Sequence, residues 1–355
     1  MTEPALFEEW PRLRGVVPWM SLGSWPSPLE SKSLLGHEVL FKREDLSAEG
    51  YAGNKIRPLE IVFGAAREAG KKEIWSTGAY GSNHALAAAV HAGRHGFHAG
   101  AVLWPQPWSP TAAENLTASA SVCDEIRWTR SVVEMPLSAL WVQATRNAWV
   151  MPPGAATPLG ATGHAGAALE LGRQLAGRPI DAIVLPIGST CTTAGLLVGT
   201  ALAHAHGLLV RLPRIVAVRV TPWPVTDRRR VAHLAAATAE RFAQAFRRAG
   251  LTLPAIAGTT SDFLGRLEVV GDQYGGGYGK PTAAGYHAIA ELLHLGLRLD
   301  TTYSAKAAAH LIARLRRDHE RLVFWSTKSA LPLPPVNPDR IAALPGNVKK
   351  WIGRR

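Results

Sequence analysis

Short apolar runs rich in β-branched residues alternate with longer alanine-rich runs along most of this chain. That alternation restricts the fold more than any single motif. Strand patterns fall at residues 38–43, 73–77, 99–104, 182–187, 215–220, 267–270 and 322–326, and helical patterns at 55–69, 83–94, 163–175, 193–205, 229–248, 282–295 and 304–316. Strands separated by helical crossovers pair in parallel through right-handed βαβ units, with helices covering both faces of the sheet. An α/β fold follows, and ligands in such open sheets bind beyond the carboxyl ends of the strands. With 355 residues the chain is long enough for two lobes or one large α/β unit. The stretch Met-Pro-Pro-Gly-Ala-Ala-Thr-Pro-Leu at 151–159 reads as an irregular connection between them. Residues 105–110 and 223–230 read as surface turns, and the proline-rich, basic tail after Pro332 has little core-forming pattern.

Charge and cysteine content narrow the function class. The net charge is +12, but the basic residues scatter in small clusters such as Arg228-Arg229-Arg230 and Arg316-Arg317. No zinc-finger spacing or RNA-binding aromatic signature accompanies them. Solvated faces with a general attraction for anionic small molecules are expected, and no nucleic-acid partner. Two cysteines, Cys123 and Cys191, exclude a disulfide framework. The start of the chain carries three glutamates and no apolar segment of the secretory kind, and no stretch is long enough to span a bilayer. A cytoplasmic enzyme without membrane contact is the expectation.

Four segments carry chemistry. Lys55, in Gly53-Asn54-Lys55-Ile56-Arg57, stands after a strand and at the mouth of a helix, where an amine can form an imine with an aldehyde cofactor. In Gly78-Ala79-Tyr80-Gly81-Ser82-Asn83-His84 a strand ends, glycines turn the chain, and Ser82 is an N-cap by type. Ser82, Asn83 and His84 then sit at the positive end of a helix, suited to a carboxylate or a phenolic oxygen. The turn Gly188-Ser189-Thr190-Cys191-Thr192-Thr193-Ala194-Gly195 joins an apolar strand to a helix. Its hydroxyls and backbone N–H groups make a cup for one phosphate, without the lysine and spacing of a nucleotide P-loop. Tyr278 lies among four glycines at 275–279, a setting that exposes its ring on a flexible loop, and Tyr303 precedes another helix.

These segments, in this order, resemble the pyridoxal 5'-phosphate (PLP) enzymes of the 1-aminocyclopropane-1-carboxylate deaminase and D-cysteine desulfhydrase family. The matches run from about residue 40 to 330. They are Lys42-Arg43-Glu44-Asp45 with Gly53-Asn54-Lys55, then Gly81-Ser82-Asn83-His84, Pro158-Leu159-Gly160 and Ala168-Leu169-Glu170-Leu171. Gly188-Ser189 with Thr192, Gly277-Tyr278-Gly279-Lys280-Pro281-Thr282 and Asp300-Thr301-Thr302-Tyr303 complete them.

The resemblance implies a two-lobed, three-layer αβα sandwich of the tryptophan synthase β-like type (fold type II). Residues 1–63 and 176–355 would form a large PLP-binding domain, and 64–175 a small α/β domain. It also implies a homodimer acting on a small amino acid. Lys55 would carry PLP and later shuttle the Cα proton. Asn83 would meet the phenolic oxygen, and Asn54 and Thr327 would also contact the cofactor. Gly188, Ser189, Thr190, Cys191 and Thr192 would hold the phosphate. Ser82, Asn83 and His84 would receive the substrate, Ser82 assisting proton transfer, with Tyr278 and Tyr303 on the substrate face.

Ser304 and Thr327 stand where deaminases of the family carry Glu and Leu, so the implied activity leans to D-cysteine desulfhydrase, an α,β-elimination giving pyruvate, ammonia and sulfide. Ring opening of 1-aminocyclopropane-1-carboxylate, or a PLP-binding protein with lost or altered activity, are the alternatives. Departures from the family pattern motivate the last of these. Thr190 and Cys191 crowd a loop that is usually glycine-rich, Lys328-Ser329 replaces Gly-Gly and would set a lysine beside the cofactor ring, and Ala79-Tyr80 and Thr157 also differ.

Overall fold

The strand runs assemble into two sheets. In the computed structural model, which describes residues 3–354, the strands are β1 (Leu29–Leu34), β2 (His37–Arg43), β3 (Glu73–Ala79), β4 (His98–Trp104), β5 (Glu125–Trp128), β6 (Ala148–Met151), β7 (Ala182–Ile187), β8 (Arg214–Arg219), β9 (Leu267–Val270) and β10 (Leu322–Ser326). The larger sheet has the order β1-β2-β10-β7-β8-β9 and the smaller β5-β4-β3-β6. Every pairing is parallel except the β1–β2 hairpin at one edge. That hairpin turns through Leu35 and Gly36, both at positive φ.

Alternation along each strand of the larger sheet sorts its side chains into two cores. Ile183, Leu185, Ile215, Ala217, Val323 and Trp325 pack on one face with helices Pro158–Leu175, Cys191–Ala205 and Arg228–Arg248. Ala182, Val184, Val216, Val218, Leu322 and Phe324 pack on the other with Ala283–Leu293 and Ser304–Leu315. The result is a three-layer αβα arrangement. Around the smaller sheet, Ile74, Ala99, Ala101 and Leu103 pack with helices Ile56–Glu68, Asn83–Arg94 and Pro110–Val122.

Three expectations need correction. Helix Pro158–Leu175 begins five residues before the pattern that started at 163. Thr157 caps it by accepting a hydrogen bond from Gly160 N at 3.1 Å, and Pro158 occupies the first turn, where no donor is needed. Its residues Ala165, Leu169 and Leu175 belong to the larger core, so packing does not follow the division drawn at 175. The tail after Pro332 forms two short helices, Pro338–Ala342 and Gly346–Ile352. Leu344, Val348 and Trp351 enter the smaller core, and Trp351 Nε1 donates to Gln106 O at 3.2 Å.

The start of helix Ile56–Glu68 is fixed by a buried ionic cluster. Arg57 donates to Glu44 (2.8 Å) and Glu170 (2.7 Å) and stacks over Trp25. Lys42 pairs with Glu170 and reaches Gln174 Oε1 at 2.7 Å. Burial alone would raise the Glu170 carboxyl, but Arg57 and Lys42 outweigh it and hold the group down at about 2. Two cations and two carboxylates cancel. Removing any one would leave a buried charge unpaired, a loss of about 3–5 kcal/mol. The cluster joins β2, the helix following Lys55, and helix Pro158–Leu175, so Lys55 rises from a rigid base.

Candidate active site

The larger sheet's central strands β2, β10 and β7 are parallel neighbours, so the segments leaving their carboxyl ends lie side by side. These carry Lys55, Thr327 and Gly188. From the smaller sheet, β3 leads to Ser82, β4 to Gln106 and β6 to Gly154. Both sets of strand ends face one cavity of about 520 Å³. It lies where parallel α/β sheets bind ligands.

Lys55 stands at the N-cap of its helix, half-buried on the cavity wall. Burial lowers its pKa, with the buried Cys191 acting weakly the other way. A depressed amine pKa makes the neutral, nucleophilic form available. The turn before it is held by Gly53 at φ 111°, bridged to Lys328, and by Asn54 N donating to Thr327 O at 3.2 Å. Asn54 Nδ2 donates to Thr192 Oγ1 at 2.9 Å, tying the lysine turn to the hydroxyl-rich loop.

That loop leads into helix Cys191–Ala205, which no side chain caps. Gly188, Ser189, Thr190, Thr192 and Thr193 line the cavity there. The helix N-terminus and these hydroxyls suit a phosphate dianion. Thr190 adopts φ 38°, a left-handed conformation that costs a β-branched residue about 1–3 kcal/mol. Glycine would adopt it without that cost. Cys191 is the exception among the expected cofactor contacts. Its thiol turns into the protein and donates to Ala155 O at 3.2 Å, and burial pushes its pKa up to about 11.

Ser82 caps helix Asn83–Arg94 by accepting from Ala85 N at 3.2 Å, which leaves its hydroxyl hydrogen free to donate to a ligand. His84 is buried on the cavity wall, and neither ring nitrogen has a hydrogen-bond partner among the described residues. Burial, helped by Lys55, drops its pKa to about 3, so the imidazole is neutral. An unsatisfied buried imidazole is costly, and this one is suited to donate to a substrate carboxylate. Tyr278 does not project from an exposed glycine loop as its sequence setting implied. It is half-buried, and its hydroxyl lies 2.6 Å from that of Tyr303. The Tyr303 ring packs against Gly188, where a Cβ would come within 2.8 Å of it. Burial pushes the Tyr278 pKa up to about 12 and that of Tyr303 well above its ordinary value. Both hydroxyls stay protonated.

Two other expectations change. Lys328 does not crowd a ring in the cavity. It turns behind Asn83, with Nζ 3.1 Å from Asn83 Oδ1 and from Tyr51 Oη. Ser304 does not face the cavity either; its hydroxyl donates to Asp300 Oδ2 at 2.8 Å. Gly154 went unnoticed within the connection at 151–159. It sits at φ 66°, and a Cβ there would lie 1.9 Å from Ser189 Oγ and 3.6 Å from Lys55 Nζ. Asn115 and Tyr51, the other partners of Asn83, were also missed. Neither sits in a recognisable local motif.

A lysine of depressed pKa, an uncapped helix N-terminus with hydroxyls, and an unsatisfied imidazole fit a phosphate-bearing aldehyde and an amino-acid carboxylate. The site is suited to an enzyme that uses such a cofactor. The chain belongs to the pyridoxal-phosphate dependent enzymes, whose family model matches residues 20–326. Members of the family depend on PLP. Nocardicin C-9' epimerase of Nocardia uniformis subsp. tsuyamanensis is 30% identical over 351 residues, covering 90% of this chain and 98% of the relative. The crystal structure of an ACC deaminase homologue matches with a TM-score of 0.71 at 26% identity, over 92% of this chain and 95% of that one. A threonine deaminase from T.th. shares the fold at 17% identity, TM-score 0.57, over 87% of this chain and 94% of that one.

Proposed function

We propose that this PLP-dependent enzyme moves the Cα proton of an amino acid whose side chain is larger than that of cysteine, and returns it with inversion. The observation that carries this is the cavity. At about 520 Å³ it falls in the middle of the range that encloses a drug-sized ligand, and its far wall is apolar. Its lining includes Trp104, Val132, Met135, Pro153 and Val225, with Arg230 offering a cation to a distal anionic group. The likeness to an epimerase over nearly that relative's full length supports the same reading.

PLP supplies an electron sink for a negative charge at Cα; the residues decide the fate of that charge. Lys55 holds the cofactor and accepts the proton. Asn54, Asn83 and Thr327 position the ring, and Gly188, Ser189, Thr190 and Thr192 hold the phosphate. Ser82 and His84 bind the carboxylate, and Ser82 returns a proton from the smaller-sheet wall. Tyr278 and Tyr303, held protonated, close the substrate face and exclude water.

A second reading is α,β-elimination of the D-cysteine desulfhydrase kind. Thr327 favours it: a hydroxyl on the cavity wall, where deaminases of the family carry Leu, need not protonate a bound cofactor's ring nitrogen, and a weaker electron sink would suit prompt loss of a good leaving group. Ring opening of 1-aminocyclopropane-1-carboxylate has weaker support, since Ser304 carries no carboxylate and faces Asp300. We include the homodimer in the proposal. The exposed apolar residues Val133, Leu137, Leu140 and Trp141 on and beside helix Met135–Thr145 support it. Among the described residues no helix is long and apolar enough to cross a membrane. Two free, buried cysteines suit the cytoplasm.

The test is incubation of the PLP-loaded enzyme in deuterium oxide with D- and L-amino acids, from D-cysteine to aromatic and extended side chains. Expected is deuterium at Cα with inversion for the larger substrates, abolished by Lys55→Ala. Pyruvate, ammonia and sulfide from D-cysteine, with no exchange on larger substrates, would replace this reading by the second.

A further inference from the structure

The carboxamide of Asn83 is gripped from behind. Its Oδ1 accepts from Tyr51 Oη at 3.0 Å, Asn115 Nδ2 at 2.8 Å and Lys328 Nζ at 3.1 Å. An ammonium only donates, so the atom facing Lys328 must be the oxygen. Asn115 is itself oriented, because its Nδ2 also donates to Gly81 O at 3.0 Å, leaving Oδ1 to accept from Lys328 at 3.3 Å. With the oxygen claimed three times, Nδ2 is the amide's remaining group for the cavity that Asn83 lines. The lysine backbone is anchored too. It bridges Gly53, and the next residue, Ser329, accepts from Ala52 N at 3.1 Å.

We propose that Lys328 is a positioning residue for the cofactor: it fixes and polarises the Asn83 carboxamide so that Nδ2–H donates to the anionic phenolic oxygen of PLP. The inference rests on the proposed attachment of PLP to Lys55. The ammonium strengthens the amide as a donor through Oδ1, and charge-assisted hydrogen bonds are the stronger kind. A phenolic oxygen that already accepts from Nδ2–H would accept less strongly from the protonated Lys55 nitrogen, so that nitrogen's proton would leave at lower pH. Lys328 therefore adjusts the cofactor electronically while the cavity keeps its full volume.

The test is a pH titration of the visible absorbance of PLP-loaded protein in four forms: wild type, Lys328→Met, Asn83→Ala and the double variant. Lys328→Met should move the midpoint upward by about one pH unit. A fifth form, Lys328→Arg, should keep the midpoint close to that of wild type. In the Asn83→Ala background the Lys328→Met change should largely vanish, because the path runs through Asn83. An unmoved midpoint in Lys328→Met, or an equal shift with Asn83 absent, overturns the inference while leaving the attachment intact. If Lys328→Met loads poorly, Lys328→Gln takes its place in the same cycle. A wild-type protein with no visible band sensitive to Lys55→Ala overturns both.

Discussion

His84 shows how much of the site is set by single side chains. Its two ring nitrogens lack partners in a buried wall, and a pKa near 3 keeps it neutral across the working range. It can give a substrate carboxylate one hydrogen bond without carrying a charge that would compete with Lys55. Replacing it by Phe keeps the ring and removes the donor. We expect KM to rise about tenfold with kcat little changed, the loss of one hydrogen bond to a charged group. Steady-state kinetics with the substrate found in the deuterium screen checks this. At this scale the sequence was informative for residues in short local motifs: Asn54, Lys55, Ser82, Asn83, His84, Gly188, Ser189, Thr190 and Thr192 all reach one cavity. It misled where neighbours decide direction. Cys191 follows Thr190 in the chain but turns inward, and Lys328 follows Thr327 but points behind Asn83.

At the level of elements, the site is an assembly of turns, each following a parallel strand. Periodicity located β2, β3, β4, β7, β8 and β10 closely, because strands that are mostly buried read as near-continuous apolar runs, and it located the edge strand β9, with one buried residue, from its apolar run of Leu267, Val269 and Val270. It did not reveal β1, β5 or β6. β1 and β5 have no more than one buried residue each, and β6 has four residues and pairs only through β3. The loop after β6 matters more than its length suggests. Gly154 closes against Ser189 from the side of the smaller sheet, so the loop proposed to hold the phosphate is bounded by a residue that none of its sequence neighbours announces. Gly154→Ala forces a left-handed alanine into contact with Ser189. PLP affinity should fall at least about tenfold, the weight of one hydrogen bond to the phosphate, with the far-ultraviolet circular dichroism unchanged. Titration of the apo-protein with PLP reads the first, and a dissociation constant equal to wild type would contradict it.

On the scale of the whole molecule, two sheets turn their carboxyl ends toward each other, and the ionic cluster of Lys42, Glu44, Arg57 and Glu170 locks the helix that follows Lys55. Chain length allowed two lobes, and the family resemblance implied limits for them that the packing does not follow throughout. Helix Pro158–Leu175 joins the larger core, and the C-terminal helices return to the smaller one. Both are long-range packing outcomes, invisible to a window of neighbouring residues. The architecture converges on one amine, and visible absorbance of the protein mixed with PLP tests that directly. The account predicts a pH-dependent band that persists in Lys280→Ala, an exposed lysine nearby, and is lost in Lys55→Ala while the chain stays folded. An undiminished band in Lys55→Ala would contradict it.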